Sequence, residues 1–216
     1  MIRAVVFDVG ETLVDERGSW ERWADWLGVP RERFMGTLAD VVRRGEHHRR
    51  VFQIFQPGLD VAEVEDMRRA AGDDPGFRNE DIYPDAVLCL WELKRRGLCI
   101  GIVGNTSPAT ERFLAEAGMP ADFIASSGTW GVAKPSPTFF ARVVEAAGLA
   151  ASGIAYVGDR IDNDVLPAKR AGMTGVFLRR GLWADVQRHW PEAAHADIVI
   201  DSLSELPGTL AALQRY

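Results

Sequence analysis

Short apolar runs alternate with amphipathic helical patterns along most of this chain, and that alternation restricts the folds open to it. IRAVVF (2–7), LCIGIV (98–103), GIAYVG (153–158) and TGVFL (174–178) are rich in Val and Ile, as strands buried on both faces require. ADFIAS (121–126) and ADIVI (196–200) are weaker candidates. Between them lie helical patterns at 84–97, 107–118, 136–148 and 164–172. Ser107-Pro108 and Ser136-Pro137 read as an N-cap followed by a first-turn proline, and Gly97, Gly118, Gly148 and Gly172 as C-caps. Strand and helix in strict alternation predict an α/β fold with a doubly wound parallel sheet.

Residues 15–82 break the rhythm. They contain no convincing strand and three amphipathic segments, near 19–28, 31–50 and 60–71. The expectation is a small α-helical cap (15–82) inserted into a core made of 1–14 and 83–216. Such a cap is expected over the carboxyl ends of the strands, where an open α/β sheet places its ligands.

Composition narrows the function. With 47% hydrophobic and 26% charged residues, the chain has an ordinary globular mix, and its net charge of -6 offers no global attraction to nucleic acid or an anionic membrane. No apolar run reaches the length of a membrane span, and the N-terminus does not read as a signal peptide. Cys89 and Cys99 have no paired spacing and read as reduced core thiols. A cytoplasmic protein, monomer or homodimer, is the expectation.

Polar groups gather where the strands stop. The first strand ends in DVGET, the second in GNTS (104–107), the loop near 130 in WGVAKPSP (130–137), and a later strand in GDRIDND (158–164). The order, spacing and insertion point resemble the haloacid dehalogenase superfamily of hydrolases, over nearly the whole chain. Asp8 and Thr12 match its first motif, Asn105 its second, Lys134-Pro135 its third, and Gly158-Asp159 with Asp164 its fourth. Two positions depart. Gly10 stands where the first motif has a second Asp, and Gly104 where the second motif has a hydroxyl.

The resemblance implies a Rossmann-like core and a phosphatase acting through an aspartyl-phosphate on Asp8. It implies Mg²⁺ held by Asp8, the Gly10 carbonyl and Asp159, with Asp164 holding Lys134 or a metal-bound water. Lys134 would offset the charge of the nucleophile and the transferred group. Asn105 belongs to the same catalytic set, and main-chain groups from Gly104 to Thr106 would cradle phosphate oxygens. Gly10 removes the family's proton donor, a loss typically worth about 10²–10⁴-fold. A good leaving group would need no donor; otherwise His47 or His48 of the cap, or Glu11, could supply one.

Other readings stay open. Both glycines suit a binding or regulatory protein on a hydrolase scaffold, and dehalogenase chemistry is a further alternative. A Schiff-base phosphonate hydrolase is disfavoured because 15–82 contains no lysine. Trp20, Trp23 and Trp26 read as packing within the cap, RRGEHHRR (43–50) as a solvated helix face, and Asp162 and Asn163 as helix caps. The substrate class is a small, soluble phosphate ester.

Overall fold

The computed structural model describes residues 1–213. In chain order it runs β1 (Ala4–Phe7), α1 (Arg17–Trp26), α2 (Arg31–Arg43), α3 (Arg50–Phe55), α4 (Val61–Ala70), α5 (Pro84–Arg95), β2 (Cys99–Gly104) and α6 (Pro108–Glu116). It continues with β3 (Phe123–Ser126), α7 (Ser127–Trp130), α8 (Pro137–Ala147), β4 (Ile154–Gly158), α9 (Leu166–Arg170), β5 (Thr174–Leu178), α10 (Gly181–Gln187), β6 (Ile198–Ile200) and α11 (Leu206–Leu213). Two compact units result, one from Met1–Asp15 with Ile82–Tyr216, the other from Glu16–Asp81.

The first unit holds a six-stranded sheet in the order β3-β2-β1-β4-β5-β6, parallel throughout. β1 lies between β2 and β4, so the winding reverses at β1 and opens a crevice beyond its carboxyl end. The sheet is apolar on both faces because helices cover both. Val6, Val103, Phe139, Phe140 and Tyr156 form one buried cluster. Ser107 and Ser136 cap α6 and α8 by accepting the N–H groups of Thr110 and Thr138, and Gly148 ends α8 in the left-handed region at φ 62°.

One predicted helix differs. The 164–172 pattern begins earlier, with a π-helical turn over Ile161–Val165, before α9. Pro167 stands at the junction and has no N–H to give to an α-helical partner.

In the second unit the predicted 31–50 segment is two helices, α2 and α3, parted at Gly45 with φ 71°. Trp20 packs on Phe34 and Phe52, and Trp23 on Phe52, so these tryptophans build the unit's own core. Arg68 is buried there, its guanidinium 4.9 Å above the Trp23 ring and paired with Asp73 at 2.8 Å. The basic run is locally balanced: Arg43 pairs with Asp40, Arg44 and Arg50 with Glu46, and Arg49 with Glu65.

The chain leaves and re-enters the first unit at one stitched point. Val14 forms an antiparallel bridge with Ile82, and Tyr83 N–H donates to the Leu13 carbonyl at 2.9 Å. Among the described residues no helix is long and apolar enough to cross a membrane.

Candidate active site

Asp8 follows β1 directly, and its N–H donates to the Val157 carbonyl at 2.9 Å, carrying the β1–β4 ladder one residue further. The ladder therefore fixes the Asp8 backbone at the switch point. Its carboxylate is buried and accepts from Lys134 Nζ at 2.6 Å. Lys134 Nζ also donates to Asp164 Oδ1 at 2.5 Å, so one ammonium bridges two carboxylates from distant parts of the chain. Asp8, Asp159 and Asp164 each offer an oxygen, all within 4.8 Å of one another.

Lys134 is itself held by Asn105. The Asn105 Oδ1 accepts the Lys134 N–H at 2.8 Å, and its Nδ2 donates to the Lys134 carbonyl at 3.0 Å. Both ends of the amide are thus used on the main chain of the lysine loop, whose Lys134–Pro135 peptide is cis. Behind Nζ lies the Tyr156 ring, 5.6 Å away, with the Tyr156 hydroxyl donating to the Val103 carbonyl at 2.7 Å.

Glycines make the cluster possible. A Cβ on Gly158 would overlap the Asp164 carboxylate, and a Cβ on Gly104 would lie 2.6 Å from Asp8 Oδ1. Gly104 therefore does more than omit a hydroxyl: it leaves the space in which Asp8 meets Lys134. Gly10 is half-buried in the turn after β1, bridged to Val14. Its neighbour Glu11 adopts φ 53°, a region uncommon for a residue with a side chain. The Glu11 carboxylate accepts from the Tyr83 hydroxyl at 2.8 Å and packs where a Cβ on Gly181 would be. It is committed to that contact.

Burial and charge set the protonation of the cluster. Burial works against the Lys134 charge, but Asp164 and Asp8 outweigh it and hold the ammonium well above its usual range. Burial pushes the Asp164 carboxyl up to about 6; Lys134 opposes this and the like charge of Asp8 adds to it.

Ser107 caps α6 as expected, and the Thr106 carbonyl accepts from Gly128 N–H and the Ser127 hydroxyl. Other expectations take a different form. Asp162 caps no helix: it pairs with Arg160 at 2.7 Å and accepts from Gln187 at 2.8 Å. His47 and His48 lie in the helical unit, their rings 4.4 Å apart, with His48 edge-on to Trp20 at 5.5 Å. Cys89 is buried, whereas Cys99 is only partly so, and both are free thiols. Sequence reasoning missed Tyr156 and Gln187, since a tyrosine inside a strand and a glutamine on a helix carry no motif.

A doubly wound parallel sheet with buried carboxylates and an ammonium at its switch point defines a class, the Rossmann-like enzymes that work at the carboxyl edge of their strands. Within it, this chain belongs to the haloacid dehalogenase-like hydrolases, matching that family over residues 2–172. It is 33% identical over 136 residues to the glyceraldehyde 3-phosphate phosphatase of Methanocaldococcus jannaschii, covering 62% of this chain and 58% of that protein. It is 30% identical over 211 residues to the protein of the same name from Methanopyrus kandleri, covering 87% and 88%. The chain thus spans little more than half the length of the first of these relatives. The crystal structure of a HAD phosphatase from Thermococcus onnurineus superposes with a TM-score of 0.64 at 25% identity, covering 97% of this chain and 98% of that one.

Proposed function

We propose that this protein is a Mg²⁺-dependent phosphatase of small phosphorylated metabolites, with Asp8 as its nucleophile. The observation that carries the reading is the convergence of Asp8, Asp159 and Asp164 within 4.8 Å, with Lys134 bonded to two of them. Carboxylates packed this closely repel, and an all-oxygen, buried donor set suits a hard divalent cation. Asp8, Asp159 and the Gly10 carbonyl would hold it, with Asp164 holding Lys134 or a metal-bound water. When bound, such an ion offsets the negative charge of the phosphoryl group and of the carboxylate facing it.

The chain's own groups do the rest. An Asp8 oxygen forms a bond to phosphorus as the ester P–O bond breaks, giving an aspartyl-phosphate and an alcohol. Lys134 stands at 2.6 Å from that carboxylate and offsets charge on the phosphoryl oxygens. Water then attacks phosphorus as the bond from the Asp8 oxygen to phosphorus breaks, its proton passing to a phosphate oxygen, so that inorganic phosphate leaves and Asp8 is restored. Main-chain N–H groups from Gly104 to Thr106 would hold phosphoryl oxygens.

Glu11 is engaged by Tyr83, so the leaving oxygen takes its proton from solvent. This favours leaving groups that depart with little protonation, such as acyl phosphates or sugar 1-phosphates. The relatives' names add three-carbon phosphates such as glyceraldehyde 3-phosphate to the panel.

The test is Mg²⁺-dependent phosphate release from that panel. Turnover abolished by Asp8→Asn supports the proposal. Beryllium fluoride captured at Asp8 without turnover of any ester would replace it with a binding role, and metal-independent halide release with dehalogenation.

A further inference from the structure

We propose that Gln187, on α10 and outside the charge cluster, is a positioning residue for the turn that carries Asp164. The inference rests on the phosphatase reading of the site, since it is Asp164 and Lys134 that the turn places.

The first N–H groups of any helix lack partners within it, and a π turn, with its wider hydrogen-bonded ring, leaves more of them. The Ile161–Val165 turn receives no cap from Arg160, which precedes it. Gln187 supplies one from a helix more than twenty residues away. Its side chain is fully buried, and Oε1 accepts the Ile161 N–H at 2.6 Å and, more weakly, the Asp162 N–H at 3.4 Å. Its Nε2 donates to Asp162 Oδ1 at 2.8 Å. Acceptor faces donors and donor faces carboxylate, so the amide has one orientation that satisfies all three contacts.

A second grip comes from the same face of α10, one turn earlier. The Arg160 guanidinium lies 3.8 Å over the Trp183 ring while forming a two-pronged pair with Asp162, at 3.1 and 2.7 Å. Trp183 and Gln187 stand four residues apart, so their side chains point the same way. From here the contacts lead straight to the cluster. The Arg160 N–H donates to Asp164 Oδ2 at 3.1 Å, Asp164 Oδ1 accepts from Lys134, and Lys134 donates to Asp8. Gln187 thus reaches the nucleophile through hydrogen bonds linked by Arg160, whose guanidinium holds Asp162 and whose N–H holds Asp164. Catalytic geometry that drifts by about 1 Å can cost about 10²-fold in rate, which makes such a brace consequential.

A glutamine that merely satisfied buried N–H groups would affect stability alone. The experiment therefore compares wild type, Gln187→Glu and Gln187→Leu in Mg²⁺-dependent hydrolysis of acetyl phosphate. Amide hydrogen exchange at Ile161 and Asp162 is measured alongside, on the metal-free proteins. Leucine removes every contact; glutamate keeps an oxygen acceptor for the two N–H groups but turns a second carboxylate toward Asp162 Oδ1, where Nε2 had donated. Gln187→Leu is expected to lower kcat by about tenfold or more with KM within about twofold. Exchange at Ile161 and Asp162 should be about tenfold faster or more. Gln187→Glu should keep part of their protection, while repulsion between its carboxylate and that of Asp162 holds kcat below wild type.

A folded leucine variant with wild-type kcat, unchanged exchange at both amides in that variant, or glutamate-variant amides that exchange as fast as those of the leucine variant would each overturn the proposal. Should the leucine variant not fold, Asp162→Asn cuts the same series at a half-exposed position. A drop in kcat of about threefold or more at unchanged KM then supports the brace, and wild-type kcat overturns it. If wild type hydrolyses no phosphate ester, the functional reading has failed, and the exchange rates of the glutamate and leucine variants decide the role of Gln187 alone.

Discussion

Gly104 and Asp8 come from different strands and share a space with no room for another carbon: a Cβ on Gly104 would lie 2.6 Å from Asp8 Oδ1. The short Asp8 side chain can yield only by rotating, and rotation takes it off Lys134. Gly104→Ala is therefore expected to lower kcat by roughly tenfold or more, with a stability cost of about 1–3 kcal/mol for the overpacking. Steady-state kinetics with an acyl phosphate and urea unfolding check the two parts; kinetics unchanged from wild type would show that Asp8 works from another rotamer.

Removing Lys134 should be felt first in stability. Its ammonium is buried between Asp8 and Asp164, and breaking such a pair costs about 3–5 kcal/mol because charge is left uncompensated. For a chain of this size, Lys134→Met is expected to lower Tm by roughly 6–20 °C in EDTA. Mg²⁺ should raise the Tm of this variant more than that of wild type, since a cation relieves the carboxylates that lysine no longer separates. Equal Mg²⁺ shifts in both proteins would argue against a metal among these three acids.

Stability against pH follows from Asp164. Its folded value, about 6, lies above the 3.8 of a free carboxyl, so the folded protein holds that proton more tightly than the unfolded chain. The resulting contribution is fully present below about pH 3.8 and is lost as pH rises through about 6. Metal-free wild type should therefore lose stability relative to Asp164→Asn between pH 4 and pH 7, read by urea unfolding. A relative gain over that window would mean that Lys134 dominates and lowers the carboxyl instead.

The missing proton donor can be probed from two sides. Glu11 is held by Tyr83, so Glu11→Gln should leave kcat within about threefold of wild type; a general acid would cost about 10²–10⁴-fold. Gly10→Asp should raise turnover of alkyl phosphates by about tenfold or more and leave acyl phosphates nearly unchanged. A profile of esters graded by leaving-group pKa measures both.

How much of this was written in the sequence depends on how each residue is held. Asp8, Asp159 and Gly104 sit at the ends of apolar runs, so the strand signal that predicts the sheet also places them at one edge. Lys134 and Asp164 were legible only through motif spacing, because the loops that carry them have no periodicity. Gln187 was not legible: its contacts are with a turn more than twenty residues away, and a buried amide on a short helix looks like any other. The π turn was not legible: the pattern starts the helix at 164 with Asp162 and Asn163 as caps before it, since side-chain pattern does not report an extra residue per turn. Glu11 illustrates the converse. The sequence leaves Glu11 open as a proton donor, and the fold commits its carboxylate to Tyr83 through a left-handed backbone that no local rule names.

The bridge between Val14 and Ile82, with Tyr83 donating to Leu13, brings the two ends of the Glu16–Asp81 insertion side by side. A segment whose two ends are pinned together can change in length and sequence between Asp15 and Ile82 while β1 and Asp8 keep their places in the sheet.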